Sequence, residues 1–483
     1  MSVLVIGSGL AGCAAALGAA REGADVRLVT TASDPTETAT WWAQGGIAVP
    51  RDDRAAFVED VMAASSGTAD REAVESLVAD ARSAVQDVLV ETAGVEFDCD
   101  GSEYDYGREA GHSTSRVLHV DAATGQSIEE HCFETVAAHP AVTVAEDTAA
   151  LDLLVGAEGV GGALLEDDEA VTAGGTVLAT GGIGGLYPET TNPPGATGDG
   201  IAMAARAGAD LADLPFVQFH PTVYLDGETV LVSEAVRGAG AVLRNADGER
   251  FMPDVHPDGE LAPRDVVARA VARERDRTGR VTLDVSDIQF REQFPGLAER
   301  LDDRGVDPSA GIPVGPAQHF LCGGIAVDEH GRTSVPGLYA AGECSRTGVH
   351  GANRLASTSL LEGLVWGLRA GRAAAGADPI PAPEPSLPHR DPDLPETFAR
   401  EKRRRLQQIV GEHLGIERTP QGLSEAVSAL GRLRGEVEAY TRTRSSRSLA
   451  RLHAATITAE AIARAARDTD SVGTHRLEAS RAD

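Results

Sequence analysis

Four side chains in this sequence have the chemistry needed to hold a doubly charged anion. They are His220, which precedes a proline, Arg264, His319, and Arg354, which follows a glycine-rich loop. An arginine fork binds a carboxylate through two parallel hydrogen bonds, and imidazoles supply further donors. The sequence has no spacing of cysteines, histidines and acids that is typical of a metal site. Together the four residues predict a pocket for a small dicarboxylate.

Each of these residues also has a simpler interpretation. A histidine beside a proline in an apolar segment is commonly a structural residue. Arg264 lies between Pro263 and Asp265, an arrangement that also suits the first turn of a helix with a local ion pair. Arg354 could instead contact only the phosphate of a cofactor. The dicarboxylate pocket therefore depends on a fold that brings all four side chains together.

The elements that must position them begin at the N-terminus. An apolar segment, 3–6, leads through Gly-Ser-Gly-Leu-Ala-Gly, 7–12, into an alanine-rich helical segment and a second apolar segment, 26–29. In a turn of this type the glycines allow a tight bend, a close approach to pyrophosphate, and helix-on-strand packing, and the helix offers free N–H groups. The unit predicts dinucleotide binding; an ordinary buried strand-turn-helix is the alternative. The acid that usually ends the second strand is replaced by Thr30 and Thr31.

Three further segments could contact a cofactor or substrate. Trp41 and Trp42 precede an Ala-Gln-Gly-Gly turn whose backbone could touch a flat ring, although packing explains tryptophans equally well. The polar segment 104–113 predicts a loop, where binding groups commonly lie. Asp199 opens an alanine-rich helix, so it is either a helix cap or a cofactor contact.

The chain is long enough for two or three domains. Its βα alternation stops near residue 214 and returns after residue 320, which indicates an insertion. We predict a dinucleotide-binding domain over 1–213 and 321–380, an inserted domain over 214–320, and a helical domain over 390–475. The stretch 378–395 is rich in proline and acids and predicts a linker.

The net charge of −31 excludes several classes of partner. Such an acidic surface disfavours nucleic acid and anionic membranes. No apolar run approaches the roughly 18 residues of a membrane span. The five cysteines form no C-x-x-C pair, which favours a reducing cytoplasm and disfavours zinc or iron–sulfur sites. With Lys402 as the only lysine, the composition leads us to hypothesise a salt-rich cytosol.

The motifs taken together carry a family resemblance. In chain order they are GSGLAG (7–12), TWWAQGGIA (40–48), REAGHS (108–113), TGDGIAMAARAGA (197–209), QFHPT (218–222), SEAVRGAGA (233–241), LAPRDVVARA (261–270), QHFLCGG (318–324) and GLYAAGECSRTGVHGANRLASTSLLE (337–362). With these segments the sequence resembles the L-aspartate oxidases, within the fumarate reductase and succinate dehydrogenase flavoprotein superfamily. The resemblance implies an α/β fold with a Rossmann-like FAD-binding domain in two segments, an inserted α+β capping domain and a C-terminal helical bundle.

The resemblance also assigns roles to residues. It implies a dicarboxylate site made by His220, Ser233, His319 and Arg354. Arg264 is implied as proton donor or acceptor over the flavin, with Glu234 and Arg237 as its proton relay. FAD contacts are implied for Gly7, Ser8, Gly9, Leu10, Ala11, Gly12, Thr31, Ala39, Thr40, Trp41, Trp42, Ala43, Gln44, Gly45, Gly46, Asp199, Glu343, Ser359 and Leu360.

Two positions distinguish the branches of the superfamily. Glu109 is implied to meet a substrate ammonium group, and this agrees with simple electrostatics, since a cationic pocket repels an amino acid unless one acid is supplied. The membrane-complex enzymes attach FAD covalently through a histidine before T-x-x-A-Q-G-G, where this chain has Ala39. Non-covalent FAD is therefore expected.

The resemblance implies oxidation of L-aspartate to iminoaspartate by hydride transfer to flavin N5. Electrons would pass to oxygen or fumarate, and the reaction would open de novo NAD synthesis beside quinolinate synthase as a partner. The first alternative is a soluble fumarate reductase or succinate dehydrogenase-type flavoprotein. A flavin-binding protein without turnover is the second, and the ordered cluster of His220, Arg264, His319 and Arg354 counts against it.

Overall fold

The computed structural model describes residues 1–121, 123–383, 395–444 and 446–478, and its central element is a five-stranded parallel sheet. The N-terminal strand has parallel partners on both sides, so four of its five residues are buried. This double burial explains why the strand reads as a continuous apolar run. In spatial order the strands are Leu338–Ala340, Gly175–Leu178, Ser2–Ile6, Asp25–Val29 and Val142–Ala145.

The sheet is assembled from two distant stretches of chain. Strand Leu338–Ala340 pairs with Gly175–Leu178 across the whole intervening segment. The helix Leu10–Arg21 follows the glycine turn and packs against Ser359–Ala375, the helix that follows the returning strand. The α/β fold with a dinucleotide-binding domain in two segments is confirmed.

Glycines let these two helices approach closely. A Cβ at Gly371 would lie 2.0 Å from the carbonyl oxygen of Ala15, and one at Gly367 would lie 2.5 Å from that of Ala11. Both distances are below any real contact, so only glycine fits here. The contact lets the second segment hold the first in place.

The segment 54–90, which has a continuous helical period, is divided into three pieces. Helices Arg54–Ala64 and Arg71–Ala84 are separated at Ser66 and Gly67, both of which have positive φ angles. The second helix then runs into a π-helical turn, Val85–Thr92. Such a period alone predicts helix throughout and does not indicate the break at Ser66 and Gly67.

The inserted segment builds a second sheet with its own core. This sheet is antiparallel, and its buried core residues all lie between Tyr224 and Val314. Its long helix, Arg264–Thr278, packs on strand Val217–Tyr224. The five strands in spatial order are Val230–Leu231, Val217–Tyr224, Ile312–Leu321, Val281–Asp284 and Val242–Asn245. We call this unit the cap; its exact boundaries, 214–320, stay a prediction.

Three C-terminal helices form the expected bundle, but they do not form a separate core. They are Glu396–His413, Pro420–Thr441 and Arg447–Arg467. Their buried faces join one apolar cluster with Leu4 and Leu178 of the parallel sheet and Ile201 of helix Asp199–Arg206. The bundle therefore covers one side of the sheet. Most of the predicted linker, 384–394, lies outside the described residues.

The smaller elements complete the layers. Remaining helices are Thr124–Ala137, Glu234–Gly238, Met252–Val255, Phe290–Gln293 and Pro295–Asp302. Remaining strands are Ile47–Ala48, Cys99–Asp100, Glu103–Tyr104, Tyr106–Gly107, Val117–Leu118, Ala150–Gly156, Gly159–Leu165, Ala170–Thr172, Leu211–Ala212, Gly324–Ala326, Ser345–Arg346, Glu417–Arg418 and Arg476–Leu477. Among the described helices, none combines the length and apolarity of a membrane span.

Candidate active site

One cavity of about 810 Å³ collects most of the predicted site residues. Its volume falls within the range of about 300–1,000 Å³ that is usual for small-molecule sites. It is lined by the parallel-sheet unit, the cap and the C-terminal helices. The predicted residues that line it are Gly7, Ser8, Gly9, Leu10, Ala11, Thr31, Ala39, Thr40, Trp42, Ala43, Gln44, Gly45, Gly46, Glu109, Asp199, His220, Ser233, Glu234, Arg264, His319, Glu343, Arg354, Ser359 and Leu360.

Three predicted residues, Gly12, Trp41 and Arg237, do not line the cavity. A Cβ at Gly12 would lie 1.9 Å from the carbonyl oxygen of Gly7, so this glycine serves the contact between helix and turn. Trp41 is half-buried beside the cavity. The Arg237 guanidinium lies 3.6 Å from Glu234, deeper in the cap. Gly12 and Arg237 therefore support residues that do line the cavity.

The glycine turn has the geometry of an anion cradle. Gly7 has a φ of +114°, and a Cβ there would lie 2.1 Å from the carbonyl oxygen of Ala179. The N-terminus of the following helix has no side-chain cap at Gly9, although the Leu10 N–H donates to Thr40 Oγ1 over 3.0 Å. The remaining free N–H groups suit a phosphate.

The end of the second strand shows what replaces the missing acid. The hydroxyl of Thr30 turns inward to Ser8 Oγ, 2.8 Å away, while Thr31 faces the cavity. Glu37 and Asp147 line the cavity near this strand end, and Arg447 donates to Asp147 Oδ1 (2.5 Å) and to the Thr31 carbonyl (2.9 Å). Acidic and cationic groups are thus supplied here by other parts of the chain.

Asp199 is not the helix cap that was one of its two interpretations. The cap position is Gly198, in left-handed conformation, and Asp199 is the first helical residue. Its carboxylate accepts a hydrogen bond from Thr197 (2.7 Å) and lies 3.3 Å from Arg451. Burial raises the pKa of this carboxyl. Its position in the cavity wall favours the cofactor-contact interpretation.

Gln218 links two of the arginines that could bind carboxylates. Its Oε1 accepts from Arg264 Nη1 (3.2 Å) and from Arg354 Nη2 (3.2 Å), and its Nε2 donates to the Arg354 carbonyl (2.9 Å). Arg354 also donates to Ser359 Oγ (2.7 Å) and lies 4.4 Å above the Phe320 ring. Both guanidinium groups are therefore held in fixed positions before any ligand arrives.

A chain of buried charges leads from Arg264 into the cap. Arg264 Nε donates to Glu234 Oε2, and the other oxygen of Glu234 faces Arg237. Burial disfavours the charged form of Glu234, but the charges of Arg264 and Arg237 outweigh it and hold the pKa of this carboxyl below its usual range. Arg237 Nη1 donates to the Glu260 carbonyl, and its Nε and Nη2 have no hydrogen-bond partner. The arrangement is hydrogen-bonded from Arg264 to Glu234, and an ion pair at 3.6 Å without a hydrogen bond continues it to Arg237.

The rings of the two histidines pack edge to face. The ring centroids of His220 and His319 are 5.2 Å apart. Burial and nearby arginines hold the pKa of each imidazole well below its usual value. His220 Nδ1 accepts from the Thr222 N–H (3.3 Å), so its proton is on Nε2, which is then a donor. His319 Nδ1 lies 2.7 Å from Thr191 Oγ1.

Glu109, which lies outside this relay, also lines the cavity, close enough to Arg264 and Arg354 for their charges to act on it. Its Oε2 accepts from Ser357 Oγ (2.6 Å), and its side chain is buried. The pKa of Glu109 is raised above its usual value, chiefly by burial and then by the charge of Glu234, and Arg264, Ser357 and Arg354 offset only part of this rise. The loop that carries Glu109 is tied down by Arg116, whose buried guanidinium pairs with Asp53 (2.7 Å).

The comparisons with known proteins agree with this geometry. Residues 2–360 match the family of FAD binding domains. An L-aspartate oxidase of Halobacterium salinarum is 60% identical over 98% of this chain and 95% of its own length. The chain belongs to the L-aspartate oxidase family. Another member, from Agrobacterium fabrum, is 45% identical over 88% of this chain and 83% of its own.

Solved structures extend the similarity of this L-aspartate oxidase family member to the wider superfamily. A quinol fumarate reductase chain of E. coli matches with a TM-score of 0.88 and 27% identity, over 100% of this chain and 92% of that one. A Mycobacterium smegmatis chain titled Sdh1 matches with a TM-score of 0.83 and 30% identity, over 99% and 89%. These matches include the C-terminal helices, whose sequence resembled the family only in general type.

FAD is the cofactor of this family member, and the cavity fits it. Residues 7–11 of the glycine turn line the cavity, and the helix that follows has no side-chain cap at Gly9, so its N-terminal N–H groups suit a pyrophosphate. The Gln44-Gly45-Gly46 turn and Ser359 line the same cavity. Glu343 also lines it; burial raises the pKa of this carboxyl to about 7, and its Oε1 accepts from the Leu321 N–H (2.9 Å). Across the described residues there is no cluster of histidines, cysteines and acids that could hold a metal.

Sequence reasoning missed several residues of this L-aspartate oxidase site. Gln218 lies within a recognised motif, and its amide could have been weighed as a partner of Arg354. Ser357 precedes two predicted cofactor contacts by only a few residues. Arg447 and Arg451 gave no local signal beyond two arginines one helical turn apart, because their partners lie in the N-terminal half of the chain.

Proposed function

We propose that this protein oxidises L-aspartate to iminoaspartate with non-covalent FAD as cofactor. The observation that carries the proposal is the buried acid Glu109, which lines the same cavity as two histidines and two fixed arginines and whose hydrogen-bond partner is Ser357 rather than an arginine. Two carboxylates need donors, and an ammonium group needs an acceptor of opposite charge. A substrate with two carboxylates and one ammonium group matches this distribution.

The FAD-binding role is assigned to residues of the glycine turn, Thr31, the segment 39–46, Asp199, Glu343, Ser359 and Leu360. When bound, FAD supplies the two-electron acceptor for a hydride. Ala39 lies where covalent attachment would need a nucleophilic side chain, which supports non-covalent binding. The chain must then retain the cofactor through hydrogen bonds and packing alone.

The substrate-binding role is assigned to His220, Ser233, His319 and Arg354. Arg354 offers a charged fork held by Gln218, and the Nε2–H of His220 supplies a neutral donor. Glu109 receives the ammonium group. Because these groups are anchored to the protein before substrate binds, little reorganisation is needed on binding.

Proton movement is assigned to Arg264, Glu234 and Arg237. Conversion of L-aspartate to iminoaspartate removes a hydride and a proton. A free guanidinium is a poor base because its pKa exceeds about 12. The contact of Arg264 with the ionised Glu234, and of Glu234 with Arg237, supports a relay that carries the proton away from the cavity.

The product and the charge of the chain suggest its setting. Iminoaspartate hydrolyses readily, so an enzyme that consumes it, such as quinolinate synthase, is the expected partner in the first steps of NAD synthesis. Oxygen and fumarate are the proposed electron acceptors. The cysteine content and acidic surface support a cytoplasmic location in a salt-rich cell.

A fumarate reductase-type activity is the second candidate. The specific observation in its favour is the cationic group itself, which suits fumarate as well as aspartate, together with the likeness to quinol fumarate reductase. Glu109 argues against this as the main activity. Fumarate is a dianion with no ammonium group, so the buried carboxylate of Glu109 would repel it.

An anaerobic titration separates the two candidates. The protein is purified in high salt, its flavin spectrum is recorded, and L-aspartate and then succinate are added. Bleaching of the flavin band by L-aspartate, with the flavin released on denaturation, is the expected result. Bleaching by succinate alone would make the second candidate correct, and no bleaching by either would overturn both.

A further inference from the structure

Ser357 is the side chain that holds Glu109 in place. Its hydroxyl donates to Glu109 Oε2 over 2.6 Å, and both residues line the cavity. Ser357 has a φ of +58°, a left-handed conformation that residues with a Cβ rarely adopt. The loop therefore holds Ser357 in an unusual conformation, in which its hydroxyl meets the carboxylate.

The rest of the surroundings leaves Glu109 little freedom. A Cβ at Gly45 would lie 2.1 Å from Glu109 Oε1, so this oxygen lies directly against the Gln44-Gly45-Gly46 turn. His112 Nε2 lies 3.0 Å from the Ala356 carbonyl oxygen, which ties the two loops together one residue before Ser357. The carboxylate is thus fixed between a glycine on one side and a serine on the other.

Nearby charges would otherwise draw Glu109 out of this position. Arg264 and Arg354 attract it, Arg237 lies further back, and Glu234 repels it. If Glu109 turned toward Arg264 or Arg354, its carboxylate would no longer be available to an ammonium group. The neutral Ser357 hydroxyl holds the carboxylate in place without using its charge.

We propose that Ser357 is a positioning residue that gives the site its preference for an amino dicarboxylate over a plain dicarboxylate, by holding the Glu109 carboxylate toward the substrate ammonium group. This inference rests on the proposed oxidation of L-aspartate. It assigns Ser357 no direct contact with the reacting atoms.

The test compares Ser357→Ala with Ser357→Gly. Both variants lose the hydroxyl, but only glycine also relieves the left-handed backbone. The KM for L-aspartate oxidation is measured beside the KM for fumarate reduction with a reduced dye. Loss of a hydrogen bond to a charged group is expected to raise the KM for L-aspartate about tenfold in both variants. The KM for fumarate, which has no ammonium group, is expected to stay within about twofold.

A pH profile supplies a second readout that a purely structural role would not move. The Ser357 hydrogen bond lowers the pKa of Glu109, so its loss raises that pKa. L-Aspartate needs the ionised acid, so the acidic limb of kcat/KM for L-aspartate is expected to shift to higher pH in both variants. The corresponding limb for fumarate is expected to stay in place.

A neighbouring hydroxyl provides the control. Thr358 Oγ1 donates to the Leu355 carbonyl rather than to Glu109, so Thr358→Val is expected to leave the ratio of the two KM values unchanged. Equal losses with both substrates, or recovery of the L-aspartate KM in Ser357→Gly, would overturn the role of Ser357. A wild-type protein that reduces fumarate but never oxidises L-aspartate would instead overturn the proposed function, and this inference with it.

Discussion

Arg264 is the residue to which the proposed function assigns the most direct part in the chemistry. Its guanidinium is shared between the carboxylate of Glu234 and the amide oxygen of Gln218, which leaves its remaining N–H groups for a ligand. This anchoring fixes a charge close to the reacting atoms without any need for the side chain to reorganise. Arg264 therefore combines a binding charge with access to the relay.

Replacing Arg264 with leucine should separate chemistry from cofactor binding. Arg264→Leu is expected to lower kcat for L-aspartate about 100-fold or more, as is usual when a transition-state group is removed. FAD content should remain near that of the wild type. Arg269→Leu, on the same helix but paired with Asp265, is the control. Near-normal turnover in Arg264→Leu would remove this residue from the mechanism.

His220 and His319 make a prediction about pH. Because burial and arginines hold the pKa of both imidazoles well below the usual value, neither should titrate near neutral pH. The kcat/KM for fumarate reduction is therefore expected to show no step near pH 6.5, where a free histidine changes charge. A step there that disappears in His220→Gln would show that His220 is charged in the working enzyme.

Among single residues, the sequence predicted the charged side chains of the cavity but not the uncharged side chains that hold them in place. His220, Arg264, His319 and Arg354 were found by type and motif, and the fold brings them to one cavity. Gln218 and Ser357 were missed because amides and hydroxyls are common, and their roles arise only from partners far along the chain.

Among the elements, the helix Arg447–Arg467 has the least expected role. It extends arginines to the strand end and to Asp199, where the cofactor is proposed to lie. The helical pattern predicted the bundle, but no local pattern could indicate which face of the sheet it would cover. That choice depends on apolar contacts between residues from opposite ends of the chain.

Arg451 offers a test of this contribution. Arg451→Ala removes a charge from the cavity wall beside Asp199, and it is expected to raise the Kd for FAD about tenfold, as for loss of one charged hydrogen bond. The Kd is measured by quenching of FAD fluorescence on titration of the apoprotein. Arg442→Ala, on an exposed turn of the preceding helix, should leave it unchanged. An unaltered Kd in Arg451→Ala would contradict a cofactor role for this helix.

The close contact between helices Leu10–Arg21 and Ser359–Ala375 can be tested by substituting one of its glycines. Gly371→Ala places a Cβ against the Ala15 carbonyl, so the helices must move apart, at a cost of about 1–3 kcal/mol in the free energy of unfolding. The matched control is Gly376→Ala at the end of the same helix, where a Cβ would have an ordinary contact at 3.7 Å. Chemical denaturation in high salt measures both. Equal stability of the two variants would show that the helices can separate freely.

For the whole molecule, the dominant property is its charge. With a net charge of −31, the excess carboxylates repel one another in the folded state, and this repulsion weakens as salt screens it. The Debye length falls from about 10 Å at 0.1 M to about 3 Å at 1 M salt. Salts that are excluded from the protein surface also strengthen the burial of apolar side chains, so they would stabilise the apolar cores described above.

The melting temperature should therefore rise with salt from about 0.1 M to above 1 M. Differential scanning fluorimetry across this range measures it, with FAD in excess so that loss of cofactor does not affect the result. A melting temperature that falls with rising salt would contradict the hypothesis of a salt-rich cytosol.

The hydrogen bond from Arg447 to the carbonyl of Thr31 joins residues 416 positions apart, and this has a consequence for biosynthesis. The ribosome completes the glycine turn and its helix long before the segment that covers them emerges. Until that last helix docks, the nascent cavity has one open side. The contacts that Arg447 and Arg451 make at the cavity wall can therefore form only once translation of the helix Arg447–Arg467 is complete.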